Sequence, residues 1–249
     1  MLPRFLASTV DLSTHVARLD SDEARHLSQV MRLGVGDEVA VFDGAGREFR
    51  AVVERVARDA VDLRVVEEIA AAPEPAIRVT LAQAVLKGDK MDDVVRDATM
   101  MGAAAIVPLI TDHTVAHVKP GAAPDRWRRI AIASAKQCRR AVVPTVHPAV
   151  RLAEWLSSDH SAMKILLTEP SAAAAEKRWL SPFPAEKRGQ SPFSSATLAV
   201  GPEGGWSGDE VDAAVRAGYE TLTLGRRTLR ADAVALIAIG VLQHQWGDL

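Results

Sequence analysis

From Ile77 onward the chain repeats one pattern, a short apolar run followed by a stretch in which apolar residues return at helical spacing. Ile77 to Ala84, Ala104 to Ile110, Lys164 to Thr168, Thr197 to Val200 and Glu220 to Leu224 read as strands. Between the first two, Met91, Val94, Val95, Ala98 and Met101 fall on one side of a helix and read as a core-facing stripe. Such alternation predicts an α/β layering around a mainly parallel sheet, because parallel neighbours need a crossover long enough to hold a helix. Two more helices are expected, Asp125 to Gln137 and Asp232 to Gln245. The second is apolar nearly all round, which predicts burial against its own core or against another subunit.

Before Ile77 the pattern is different. Val39 and Val41 alternate with polar or small neighbours, Asp43-Gly44-Ala45-Gly46 makes a turn, and Phe49 to Val56 and Val61 to Val66 read as returning strands. One helix, Asp22 to Met31, interrupts this small β-rich module, with Asp20 and Glu23 spaced as a capping pair. The segment from Ala70 to Ala76, with Pro73 and Pro75, reads as a linker. Two domains are therefore expected, residues 1–72 and 76–249.

Composition narrows the class. A hydrophobic fraction of 48% over 249 residues is enough for a real core. The formal charge of -2 supplies no global basic field, so binding of nucleic acid would rest on a local patch. Cys138 is the only cysteine, which excludes an internal disulfide and a cysteine-built zinc cluster. His113, His117 and His147 lack the spacing of a metal site, and no metal is expected. The N-terminus has no apolar signal region, and the longest apolar stretch, Ala231 to Leu242, contains Asp232 and is too short to span a bilayer. A cytoplasmic location and no membrane partner are the expectation.

One stretch stands out within the α/β pattern. The run Thr197 to Val200 ends in Gly201-Pro202-Glu203-Gly204-Gly205, and Ser207 with Glu210 then spells a capping box at a helix start. Gly218 supplies the matching stop. Glycines let the main chain turn sharply and lie against a ligand, although a plain tight turn would use them equally well. There is no Lys-Ser/Thr after them, the spacing is not the dinucleotide fingerprint, and Glu203 disfavours an anionic phosphate. Just upstream, Glu176 to Phe183 recurs almost unchanged as Glu186 to Phe193. Two copies do not make a solenoid, and this near-repeat reads as a solvent-exposed insertion.

The second glycine-containing strand end, Leu222 to Val234, forms a pair with the first. With Gln83 to Asp92, Arg126-Trp127, Gln137-Cys138, Val143-Pro144, Pro3-Arg4-Phe5, His26-Leu27 and Val30-Met31-Arg32 in order, the chain resembles the SPOUT methyltransferases. More narrowly, it resembles the bacterial enzymes that methylate N3 of uridine in 16S ribosomal RNA, the RsmE family. The resemblance implies a PUA-like RNA-binding β-barrel at the N-terminus and a trefoil-knotted α/β methyltransferase domain after it. It also implies a homodimer acting on 16S rRNA of the 30S subunit. S-adenosylmethionine would be held by three strand-end loops, at Leu167, Thr168 and Glu169, at Val200, Gly201, Gly204 and Gly205, and at Leu224, Gly225, Thr228 and Leu229.

Such a reaction displaces a sulfonium at the methyl carbon after loss of the imide proton. An imide pKa roughly three units above ambient pH makes that ionisation cost about 4 kcal/mol. Arg230 is the candidate for stabilising the developing anion, and Asp232 the candidate base or orienting group. Taken alone, Arg230 reads as a cap or salt bridge and Asp232 as an N-terminal helix charge. The chain departs from the family pattern at Arg230-Ala231-Asp232-Ala233-Val234, where the usual carboxylate is shortened and a threonine is lost. It departs again at Thr99-Met100-Met101-Gly102, at Asp112-His113-Thr114, which stands for Glu-Arg-Ser, and at Lys136.

RNA contacts are expected from a basic run with no acid within it, Arg126, Arg128, Arg129, Lys136, Arg139 and Arg140. Arg4, Arg25 and Arg32 in the small domain and Lys87 and Lys90 after the first α/β strand complete the candidates, and Lys87, Asp89 and Lys90 are expected to face the active cleft. Arg128 and Arg129 fit a solvated helix face equally well. A ribose 2'-hydroxyl methyltransferase and a non-catalytic RNA-binding assembly factor are the competing readings, separated by product analysis and by S-adenosylmethionine titration.

Overall fold

The computed structural model describes residues 2–115, 118, 121, 125–170 and 193–246. His117 and the near-repeat of 176–193, apart from Phe193, lie outside the described residues. The chain forms two units, Met1–Glu74 with Ile132–Val143, and Pro75–Ala131 with Pro144–Leu249.

Among the described residues the first unit carries a six-stranded sheet. Its strands are β1 (Arg4–Leu6), β2 (Thr9–Asp11), β3 (Val16–Leu19), β4 (Glu38–Phe42), β5 (Glu48–Val56) and β6 (Val61–Ile69), in the order β1-β4-β5-β6-β3-β2. Only β1 and β4 are parallel neighbours. In β6, Val61, Leu63 and Val65 are buried at every second position, the period of a strand with one face inward. Phe5 from one edge strand and Val10 from the other pack into the same core with Leu19, Val41, Phe49 and Leu63, so the sheet curls around that core.

The helix expected over Asp22 to Met31 divides in two. α1 (Ser21–Arg25) gives way to a π-helical turn (His26–Val30), in which the Met31 N–H reaches back to the His26 carbonyl. Asp20 caps α1 alone, accepting from the Asp22 and Glu23 N–H groups. Glu23 does not complete the expected pair. Its carboxylate accepts from the Leu6 N–H at 3.2 Å and from Lys136 Nζ at 2.8 Å. Lys136 also donates to His26 Nδ1 at 3.0 Å, which places the imidazole proton on Nε2. Burial, and then the neighbouring Lys136 ammonium, lower the His26 pKa from its usual value.

The second unit is a parallel sheet. β7 (Arg78–Ala84), β8 (Ala105–Ile110), β10 (Val150–Arg151), β11 (Met163–Leu167), β12 (Ser195–Val200) and β13 (Glu220–Leu222) run in the order β10-β8-β7-β12-β11-β13, and β9 (Thr145–Val146) also pairs with β8. Its helices among the described residues are α2 (Lys90–Met100), α3 (Asp125–Cys138), which belongs to this unit up to Ala131 and to the first from Ile132, α4 (Leu152–Ser158), α5 (Gly208–Arg216) and α6 (Ala231–Trp246). The sheet residues Ala82, Leu166 and Ala199 pack with Leu152 and Leu156 of α4 and Ala214 of α5. Met91, Val94, Val95 and Ala98 are the buried face of α2, which packs on α6. α6 buries Ala235, Ala238, Ile239, Leu242 and Trp246 but leaves Leu236 and Ile237 exposed, so its apolar surface is only partly covered within the chain.

A buried carboxylate joins several elements of this unit. Asp159 accepts from the Tyr219 hydroxyl at 2.7 Å, the Thr197 hydroxyl at 3.1 Å and the Ser161 N–H at 3.0 Å. Among the described residues no helix is long and apolar enough to cross a membrane.

Candidate functional site

Strand register explains why three loops converge. Leu167, the last residue of β11, lies opposite Val200 on β12 and Leu222 on β13. All three strands are parallel, so their chains leave side by side at the carboxyl edge, where open α/β sheets place their ligands. Two hydrogen bonds tie the exits together. The Thr168 N–H donates to the Leu222 carbonyl at 2.9 Å, and Trp206 Nε1 donates to the Leu167 carbonyl at 2.9 Å.

These loops enclose a cavity of about 490 Å³, the size of a small-molecule site. Leu167, Thr168, Glu169, Val200, Gly201, Gly204, Gly205, Leu224, Thr228 and Leu229 line it, together with Arg230 and Asp232. Gly225 belongs to the third loop but does not line the cavity. Gly205 has φ of +70°, a left-handed conformation that disfavours any residue with a Cβ. The loop then enters α5 through the expected capping box. Ser207 Oγ accepts from the Glu210 N–H, and the Glu210 carboxylate accepts from the Ser207 N–H at 2.9 Å.

Two ion pairs sit on the wall. Arg230 reaches Asp232 with both Nε at 3.0 Å and Nη2 at 2.6 Å. That contact raises the Arg230 pKa and, against some burial, holds the Asp232 carboxyl below its usual range. Lys90 Nζ lies 2.7 Å from Glu203 Oε1, which also accepts from the Lys87 N–H at 3.3 Å. Burial pushes the Glu203 carboxyl up, yet Lys90 and backbone N–H groups together bring it below the usual value.

The structure redistributes the basic candidates. Arg4 and Arg140 are internal. Arg4 forms a two-point pair with Glu48 at 2.7 and 2.9 Å and donates to the Ala135, Lys136 and Arg140 carbonyls. Arg140 is buried against Glu74, with Nε at 3.0 Å. Held in this way, neither guanidinium is presented to a phosphate in this structure. Lys136 is likewise engaged by Glu23. The pairing acids lie 44 and 66 residues away from Arg4 and Arg140, so the absence of acids within the local run carried no information about them. Arg126 is exposed but held by Asp89 and Asp92, and Arg25 pairs with Asp22 on the surface. Arg32, Lys87 and Arg139 are exposed, as are Arg128 and Arg129. Lys90 belongs to the cavity.

Sequence reasoning missed Pro170, Trp206, Val211, Ala231 and Val234 as lining residues, whereas Lys90, expected to face the active cleft, lines the cavity. The signal for Lys90 is the strand order. Gln83 at the end of β7 lies opposite Val200, so the chain leaving β7 emerges beside the glycine loop.

The comparisons with known proteins agree with this geometry. An RNA methyltransferase domain model matches residues 73–243, and an RNA methyltransferase PUA domain model matches residues 19–66. Ribosomal RNA small subunit methyltransferase E of Synechocystis sp. is 30% identical, over 96% of this chain and 76% of that protein. The protein of the same name from Mycobacterium tuberculosis is 33% identical, over 97% and 92%. A methyltransferase of Legionella pneumophila, solved in complex with bound S-adenosylmethionine, superposes with a TM-score of 0.87 at 28% identity over all of both chains. Ribosomal RNA small subunit methyltransferase E of Neisseria gonorrhoeae, solved bound to S-adenosylmethionine, gives 0.85 at 29% identity, again over all of both chains. With a domain model covering its α/β unit and relatives aligned along nearly its whole length, the chain belongs to the ribosomal RNA small subunit methyltransferase E family.

Proposed function

We propose that this protein uses S-adenosylmethionine to methylate N3 of a uridine in the 16S RNA of the small ribosomal subunit. The observation that carries this reading is the meeting of three strand-end loops at one cavity with Arg230 on its wall. The residues present fit the methyl donor. Leu167, Val200, Leu224 and Leu229 offer apolar walls, the peptide groups of the glycine loop can read an adenine edge, and Glu169 puts a carboxylate on the wall that suits a cation, Glu203 and Asp232 being paired with Lys90 and Arg230. When bound, S-adenosylmethionine supplies an activated methyl group on a sulfonium sulfur.

The chain's own residues supply alignment and charge. Holding acceptor and donor in one cavity replaces an encounter with a bound geometry. Arg230 stabilises the negative charge that develops on the uracil ring as its imide proton leaves. Asp232 orients Arg230. A carboxyl held below its usual range by a two-point guanidinium contact is a poor proton acceptor, which favours this role over that of general base.

Of the basic candidates, Arg32, Arg139 and Lys87, with Arg128 and Arg129, and Arg25 and Arg126 from within surface ion pairs, are exposed to meet RNA phosphates. In this reading residues 1–72 grip the RNA, and residues 76–249 carry the chemistry on the knotted thread of the family. The protein works in the cytoplasm as a homodimer, for which the exposed Leu236 and Ile237 of α6 are the supporting observation. Incubation with S-adenosylmethionine and small-subunit particles from a strain lacking the modification should yield N3-methyluridine on nucleoside mass spectrometry. Donor binding without that product would refute the activity, and a ribose-methylated product would replace it with another. Sedimentation analysis tests the dimer.

A further inference from the structure

The glycine loop is held from behind by residues that do not line the cavity. The chain leaving β8 folds into a tight turn in which the Thr111 N–H donates to Thr114 Oγ1 at 3.0 Å and the Thr114 N–H to the Thr111 carbonyl at 3.1 Å. Its next residue is sewn to the start of α5. The Asp112 N–H donates to Glu210 Oε1 at 2.9 Å, and Ser207 Oγ donates to Asp112 Oδ2 at 2.7 Å. His113 is thereby set against the loop itself, with Nδ1 at 3.0 Å from the Gly204 carbonyl oxygen and 3.1 Å from that of Gly205. Two acceptors facing one ring nitrogen require that Nδ1 carry the proton.

The contact is close as well as polar. A Cβ on Gly204 would lie 3.1 Å from the His113 Cβ, so the loop backbone rests directly on the imidazole-bearing residue. A Cβ on Gly205 would lie 3.9 Å from Oε1 of Glu169, a residue of the cavity wall. Turning the two carbonyls toward His113 fixes the planes of the peptides that follow Gly204 and Gly205, and with them the direction of the N–H groups of Gly205 and Trp206. The Gly205 N–H also donates to the Pro202 carbonyl at 3.0 Å, so this turn and the donor at His113 together hold the stretch, with Gly205 left-handed.

We propose that His113 is a positioning residue for the methyl-donor cavity, locking the Gly204-Gly205 backbone through its Nδ1–H so that the loop is preorganised for S-adenosylmethionine. This rests on the reading that the cavity takes S-adenosylmethionine. The role needs a donor at the Nδ1 position and not a positive charge, since neutral and cationic imidazole can both carry that proton.

Three variants separate donor, ring and fold. His113→Phe keeps a ring without the donor, His113→Asn keeps an N–H donor without the ring, and His113→Ala keeps neither. Calorimetric titration with S-adenosylmethionine should show binding weakened about fivefold (~1 kcal/mol) in the Phe and Ala variants and within about twofold of wild type in the Asn variant. Binding of small-subunit RNA without the donor molecule should be the same in all four proteins. Wild-type uptake with three variants that bind equally well would overturn this inference alone, as would an Asn variant as weak as the Ala variant or a parallel loss of RNA binding. Wild-type protein that takes up no S-adenosylmethionine would overturn the functional reading and this inference with it.

Discussion

Trp206 donates its indole N–H to the main-chain carbonyl of Leu167 at 2.9 Å, so the loop after β12 is fastened to the last residue of β11. Both residues line the cavity, and the same indole lies against Gly201, where a Cβ would come within 3.2 Å. Trp206→Phe keeps the packing and removes the bond. Loss of one such bond costs about 1 kcal/mol, so S-adenosylmethionine binding should weaken about fivefold, as read by calorimetry.

Gly205 turns the loop through a left-handed conformation at φ +70°. Gly205→Ala should cost about 1–2 kcal/mol of stability and lower the melting temperature by roughly 2–8 °C. A variant that melts with the wild type would show that the loop does not hold this turn.

Arg230 and Asp232 should separate in their kinetics. Arg230→Ala is expected to lower kcat about 10²- to 10³-fold while leaving S-adenosylmethionine affinity within about twofold. Asp232→Asn, which can still accept from Arg230, should cost about tenfold or less, whereas loss of a true general base would cost about 10²- to 10⁴-fold. Single-turnover methylation of small-subunit particles measures both.

His26 makes the first unit sensitive to acid. Its imidazole is held neutral by burial and by Lys136, with a folded-state pKa below the ordinary 6.5. As pH falls through the ordinary value the unfolded chain takes up a proton that the folded chain refuses, so stability declines until the folded-state pKa is passed. The melting temperature should therefore drop more between about pH 7.5 and 5.5 in the wild type than in His26→Gln. Equal drops would remove His26 as the cause.

Asp159 holds the α/β unit together. Asp159→Ala leaves the buried acceptor site of the Tyr219 and Thr197 hydroxyls empty and should destabilise by about 3 kcal/mol in chemical denaturation. Trp155→Phe, which removes only the indole donor to the Tyr219 hydroxyl, should cost about 1 kcal/mol in the same measurement.

Local chemistry made much of this protein legible from its residues. The Ser207-Glu210 capping box, the buried stripe of α2 and the parallel character of the second sheet depend on neighbours a few positions apart, and they stand in the structure as expected. The glycine loop was visible for the same reason, because Gly-Gly before a helix cap is a backbone instruction. The expected helix from Asp22 to Met31 changes to a π-helical turn at His26, where Glu23 and His26 meet Lys136, more than a hundred residues away.

The order of the strands and the partners of the charges were settled only by tertiary structure. No local pattern pointed to Glu48 beside Arg4 or Glu74 beside Arg140, and Lys90 reaches the cavity because β7 lies next to β12. His113 stood out in one dimension only as a departure from the family pattern, with nothing to say that it would meet the glycine loop. A hydrogen bond or ion pair across dozens of residues is fixed by how the sheet is wound, and side-chain identity alone does not say which distant carbonyl or carboxylate will stand within three ångströms.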